Sequence, residues 1–330
     1  MKFPARALQV APYLRDYEDI GEITCPYLMR ISTPNFISPV VSTDQYGFRH
    51  TICNSKIISV SELINTDIAD VTLCIGSSAL FGVGSSGNGY TITSYLSKLG
   101  IACPINLGNR ACNSTQELIA FAVFLPLIQH KLKRVLFFSG VNDMTLSMVG
   151  DSIFPYINPL FNSQAISLQA NKRTSISYLT RMIFSELKQR LRHPNGQDPI
   201  SSLPRKDAWF HTFSTIDAVN RICRSRSIPC TYFFQPLAPI CKKNLSREEE
   251  ILFGSLDNPE LSLLRSTIAE EYHKHVYSLK AQCADHSYSF VDLNNHILDN
   301  PEDWLFVDSI HLSDKGSEVC ARIIAQHLTP

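Results

Sequence analysis

The chain reads as an α/β domain built on a parallel sheet, and three observations predict this. Apolar runs rich in β-branched residues recur between residues 71 and 293, with helical stretches separating them. The first run, Val71-Thr72-Leu73-Cys74-Ile75-Gly76, stops abruptly at Gly76-Ser77-Ser78, and from Val71 to Gln116 there is no Asp or Glu. A strand covered by helices on both faces is apolar throughout rather than at alternate positions, and strands alternating with helices specify a parallel sheet with right-handed crossovers.

The totals leave room for a large core. With 330 residues, 44% apolar and 18% charged, one domain with insertions is expected. Thirty basic and thirty acidic residues cancel, so nothing marks a nucleic-acid or anionic-membrane surface, and a small-molecule partner is expected. Ten cysteines are scattered without a C-x-x-C pair or zinc spacing, which predicts free thiols and no metal. The first residues, MKFPARALQVAPYLRDYED, carry no apolar signal core, and no apolar run reaches membrane-span length. A reducing, cytoplasmic setting is expected.

In chain order, residues 1–67 contain prolines and short apolar pieces without a helical period. They are expected to form a strand-poor leader packed on the main domain, 68–330. Within Tyr46-Gly47-Phe48-Arg49, Arg49 either holds a substrate carboxylate or ties the leader down. Strands are expected at 71–76, 101–107, 134–139, 229–235 and 288–293. Helices are expected near 90–99, 115–132, 212–225, 246–283 in two or more pieces, and 314–327. Ser114-Thr115-Gln116-Glu117 reads as a capping box, and Pro126 as a kink in the apolar helix behind it. The stretch from about 147 to 211 is too long for a β-to-α connection. It reads as a cap over the active face or as a peripheral decoration.

A serine at a strand's carboxyl end stands where open α/β sheets bind ligands, as a nucleophile or as part of an anion cradle. Gly82-Val83-Gly84-Ser85-Ser86-Gly87 matches the dinucleotide pattern, but its first glycine comes six residues after Gly76 instead of at the strand's end. The G-K-[ST] of a P-loop and the G-x-S-x-G elbow are both missing. His273 and His275 are two apart on an expected helix and do not share a face, so they suit no metal. At the far end, Asp308-Ser309-Ile310-His311 supplies a base and an orienting carboxylate. Asp308 is placed to accept from one imidazole nitrogen while the other faces Ser78. Gln235 ends the fourth strand at the same edge and is a candidate lining residue.

Four blocks in order then resemble the SGNH (GDSL-type) hydrolase family: Ile75-Gly76-Ser77-Ser78-Ala79-Leu80-Phe81-Gly82, Asn106-Leu107-Gly108-Asn109-Arg110-Ala111, Gly140-Val141-Asn142-Asp143, and Asp308-Ser309-Ile310-His311. The likeness spans about residues 68–328. It implies a flavodoxin-like three-layer α/β/α fold with a five-stranded parallel sheet, and serine-ester chemistry without metal or organic cofactor. It further implies Ser78 as nucleophile, His311 as base, Asp308 as its orienter, and the Ser78 N–H, Ala111 N–H and Asn142 side chain as oxyanion donors. Arg49, Arg110 and Gln235 are candidates for substrate contact.

Two positions depart from the family pattern. Ser77 stands where an acidic residue often precedes the serine, and Ala111 stands where the family has a glycine. Alanine keeps the N–H, and the donor survives unless the turn demands a positive φ that alanine refuses; Gly108 is the alternative turn. The expected activity is hydrolysis of a short acyl ester, acetyl first, of a sugar or small metabolite. Acyl transfer through the same triad and a catalytically silent binding protein are the alternatives.

Overall fold

The protein is described by a computed structural model over residues 3–25, 28–147, 207–242, 244–256, 259–297 and 302–328. The N-terminal segment holds four strands of three or four residues. β1 (Glu22–Cys25) pairs antiparallel with β2 (Met29–Ser32), and β3 (Thr51–Cys53) with β4 (Lys56–Ile58). The segment is thus richer in strand than its sequence predicts, because strands this short are over before an alternating pattern becomes visible.

The main sheet contains β5 (Val71–Gly76), β6 (Pro104–Gly108), β7 (Leu132–Ser139), β8 (Cys230–Phe234) and β9 (Ser289–Asp292). All neighbours are parallel, in the order β6-β5-β7-β8-β9. Counted from β5 this is 2-1-3-4-5, the doubly wound flavodoxin-like order, in which the chain reverses its direction of winding between the first and third strands. The second strand starts at Pro104, three residues later than the expected Ile101.

Burial explains the three layers. Every residue of β5 is buried, and successive side chains pack into different cores. Cys74, Leu136, Phe138 and Phe233 face a core shared with Leu96 and with Cys320, Ala321 and Ile324 of the C-terminal helix Asp314–Leu328. Leu73, Ile75, Phe137 and Phe234 face another, shared with Phe121, Ile216 and Leu279. Strand alternation therefore assigns each apolar run to both faces at once.

Asn113, rather than Ser114, caps the helix Ser114–Ile128. Its side chain accepts from the Gln116 N–H, and Gln116 returns the bond to the Asn113 N–H. The box is one residue earlier than expected, because Asn serves at the N-cap as well as Ser. The cap expected over 147–211 falls almost wholly on 148–206, outside the described residues. Among the described residues no helix is long and apolar enough to cross a membrane. All ten cysteines are free thiols.

Candidate active site

The carboxyl ends of β6, β5 and β7 lie side by side, with Gly76 opposite both Gly108 and Phe138. The segments that follow them carry Ala111, Ser78 and Asn142 respectively. β5 passes through Ser77 straight into the short helix Ser78–Phe81, so Ser78 occupies the first helical position. Its N–H has no intrahelical acceptor there and donates to no other described group.

His311 reaches Ser78 from 233 residues away, with Nε2 2.8 Å from Oγ. Its Nδ1 lies 2.7 Å from Oδ2 of Asp308. The loop that bears both closes on itself through a Phe306–Leu312 bridge and a bond from Val307 N–H to His311 O. Oδ1 of Asp308 accepts from the N–H groups of Ile310 and His311 at 2.9 and 2.8 Å. Burial alone would push the Asp308 carboxyl upward. The charge and ring N–H of His311, together with the two backbone N–H groups, outweigh burial and hold it below its ordinary value. A carboxylate kept ionised on Nδ1 leaves Nε2 to take a proton.

The neighbours of this loop fix its height over the sheet. Gly84 has φ +99°, and a Cβ there would stand 2.4 Å from Leu312 O. Asp314 accepts from the N–H and hydroxyl of Ser86 at 2.7 and 2.5 Å, joining the glycine loop to the end of the histidine loop. On the other side Gln235 Nε2 donates to Ile310 O at 3.3 Å, and Ala238 N–H donates to Ser309 O at 3.0 Å. Gln235 is thus buried under the histidine loop instead of lining an open surface.

Beneath the loop, Glu249 Oε1 accepts from Leu305 and Phe306 N–H at 2.9 and 3.0 Å. Its Oε2 lies 2.8 Å from Lys242 Nζ, both side chains being fully buried. Glu249 also closes a capping box with Ser246. The spacing Ser246-Arg247-Glu248-Glu249 carried that signal in the sequence, but nothing there tied it to residue 305.

Ala111 has φ +57°, the left-handed region. The turn does demand positive φ, and alanine adopts it. Its N–H, like that of Ser78, donates to no described group. Asn142 donates one amide hydrogen to Cys112 O at 2.5 Å, which ties the first turn of the helix Val141–Ser147 to the Ala111 loop and leaves its second hydrogen available. Three donors, on Ser78, Ala111 and Asn142, thus follow the carboxyl ends of three adjacent strands.

The other two candidate contacts are engaged elsewhere. Arg49 is fully buried, with its guanidinium on Asn88, on the Tyr17 hydroxyl and on the carbonyls of Val40 and Gly82. It bonds the leader to the turn behind Ser78, and of its two readings the tie is the one the geometry supports. Arg110 donates to Ser32 Oγ and to the carbonyls of Ile20 and Gly21.

Next to Asn142 lies a buried acidic cluster. Asp143 accepts from Ser114 N–H and the Thr212 hydroxyl, and burial pushes its carboxyl up to about 6. Glu117 accepts from the Ser139 hydroxyl at 2.6 Å, and burial raises it well above the usual carboxylate range. Buried His275 stands beside Thr212, and desolvation lowers it to about 3. Among the described residues no group of three His, Cys, Asp or Glu side chains is gathered as a metal site.

No family model matches the chain, and no curated protein sequence matches it. Solved structures match at low identity. A GDSL-like lipase from Bacteroides thetaiotaomicron VPI-5482 is 12% identical, over 81% of this chain and 94% of the other, with a TM-score of 0.42. An acetyl xylan esterase, AlAXEase, is 10% identical over 78% and 100%, with a TM-score of 0.40. An aryl esterase of M. smegmatis is 14% identical over 79% and 98%, with a TM-score of 0.38. Likenesses this distant leave the chemistry to be read from Ser78 and its surroundings.

Proposed function

We propose that the chain is a serine hydrolase of carboxylic esters, acting through an acyl-Ser78 intermediate. The observation that carries this reading is the unbroken relay from Asp308 to His311 to Ser78, at 2.7 and 2.8 Å. Oγ attacks the ester carbonyl while Nε2 of His311 takes its proton, and Asp308 stabilises the imidazolium that results. The tetrahedral oxyanion is held by the N–H groups of Ser78 and Ala111 and by Asn142, whose free donors support this role. His311 then gives its proton to the departing alkoxide. Water, deprotonated by the same nitrogen, attacks the acyl-serine; the acyl–Oγ bond breaks, the acid leaves, and His311 returns the proton to Ser78 Oγ.

The acyl group is short, with acetyl first, and the alcohol is a sugar or another small metabolite. The zero formal charge of the chain marks no nucleic-acid or anionic-membrane surface and supports a small-molecule substrate. The test is hydrolysis of p-nitrophenyl acetate and butyrate by wild type, Ser78→Ala, His311→Ala and Asp308→Asn, with mass-spectrometric mapping of a fluorophosphonate adduct. Loss of about 10⁴-fold or more in kcat for the first two substitutions, about 10⁴-fold for the third, and an adduct on Ser78 are expected. A folded wild type that neither turns over nor labels would sink the reading and favour a silent binding protein.

A further inference from the structure

The N-terminal hairpin β1–β2 meets the main domain at the turn Asn109–Cys112. Asn109 Nδ2 donates to Arg30 O at 2.7 Å, and Asn109 Oδ1 accepts from the Arg110 N–H at 2.9 Å. Arg110 Nε donates to Ser32 Oγ at 3.1 Å, and its Nη2 lies 2.9 Å from Ile20 O, 2.7 Å from Gly21 O and 3.4 Å from Glu22 Oε1. Glu22 and Ser32 are cross-strand partners, so one rung of the hairpin grips the guanidinium from both strands. On the other side of Ala111, the Cys112 carbonyl is held by Asn142.

Ala111 makes no hydrogen bond among the described residues, yet it sits at φ +57°. A non-glycine residue persists in that region only when its surroundings over-determine it. The residues before and after it are fixed from opposite directions, and the fixing before it comes from the N-terminal segment.

We infer that the paired strands β1 and β2, with Ile20 and Gly21 before them, belong to the active-site machinery. The hairpin, through Arg110 and Asn109, clamps the turn so that Ala111 takes the conformation a glycine would take unaided and presents its N–H to the oxyanion. Arg110 is on this view a positioning residue, and the leader does work that the backbone of a glycine would do without it. The inference rests on the oxyanion role proposed for Ala111.

A double-mutant cycle between Arg110→Met and Ala111→Gly tests it. Arg110→Met alone is expected to lower kcat on p-nitrophenyl acetate about 10²-fold with KM little changed, the size of misplacing one donor. In the Ala111→Gly background the same substitution should cost about threefold or less, because glycine holds the turn without the clamp. Equal losses in both backgrounds would overturn the inference and leave Arg110 a structural tie.

A second readout needs no activity. Ala111→Gly should raise the Tm of the otherwise wild-type chain and have little effect beside Arg110→Met, where the turn has already relaxed. An equal gain in both would overturn the clamp, even in a protein that hydrolyses no ester. Wild type without turnover or Ser78 labelling, but with this coupling in Tm, would reject the esterase reading and keep the clamp. Where Arg110→Met does not fold, Asn109→Ala, which cuts the bond to Arg30 O, takes its place in the same cycle.

Discussion

Lys242 and Glu249 form an ion pair, 2.8 Å from Nζ to Oε2, in which neither side chain reaches solvent, and the free oxygen of Glu249 holds the backbone N–H groups of Leu305 and Phe306. Two charges so buried are costly to leave unpaired. Lys242→Met should therefore destabilise the fold by about 3–5 kcal/mol. Adding Glu249→Leu removes the unpaired charge but also the acceptor of the Leu305, Phe306 and Ser246 N–H groups, so it should restore no stability, and the orphaned N–H groups should loosen the approach to Asp308 and lower kcat. Urea denaturation of the two variants measures the first effect and steady-state kinetics the second. An unchanged midpoint for Lys242→Met would show that the pair contributes nothing.

Gly84 is where the glycine loop touches the histidine loop. A Cβ would stand 2.4 Å from Leu312 O at a φ that L-residues avoid. Gly84→Ala should push His311 away from Ser78 and reduce kcat by about 10²-fold, the usual cost of a misplacement near 1 Å. The rate of fluorophosphonate labelling should fall in step. Normal labelling in the variant would place the contact outside the catalytic geometry.

Arg49 separates tethering from recognition. With its donors on Gly82 O, Val40 O, Tyr17 and Asn88, Arg49→Met should cost about 3 kcal/mol or more in stability by leaving buried acceptors unpaired. KM for esters with and without a carboxylate should shift together. A selective rise in KM for the anionic ester would return Arg49 to the substrate site.

The carboxylates make stability depend on pH with opposite signs. Asp143, raised by burial to about 6, and Glu117, raised by burial well above its ordinary value, bind more protons in the folded chain than in the unfolded one. Stability therefore falls as pH rises from about 4 through 6, by on the order of 2–3 kcal/mol for Asp143. Asp308 is held below its ordinary value, so its contribution is full above about 4 and is lost as pH falls through its lowered folded value. His275, lowered to about 3, acts with the sign of Asp308 and adds stability as pH rises toward 6.5, so Glu117→Gln and Asp143→Asn should each remove the opposing fall and make the urea midpoint climb more steeply between about pH 4 and 6. A slope untouched by either substitution would mean that neither carboxyl is displaced.

The strands were legible because a parallel strand covered on both faces reads as a near-continuous apolar run, and Val71–Gly76, in which Thr72 is the one polar side chain, is buried at every position. The serine at its end, the Asp-x-x-His spacing and the asparagine after β7 were readable for a related reason, since each sits in a short segment at a strand end or in a loop. The N-terminal hairpins were not legible, because strands of three or four residues carry too few positions for a period.

What the sequence by itself determined is the layering of the domain and the identity of the groups that surround Ser78. What only the tertiary structure decided is their alignment and support. The 2.8 Å approach of His311 across 233 positions, the left-handed Ala111, and the hold of Glu249 on Leu305 each depend on several loops meeting at once. Local sequence specifies local conformation through sterics and burial. The meeting of loops far apart in the chain is set by how the layers pack, which no single segment encodes.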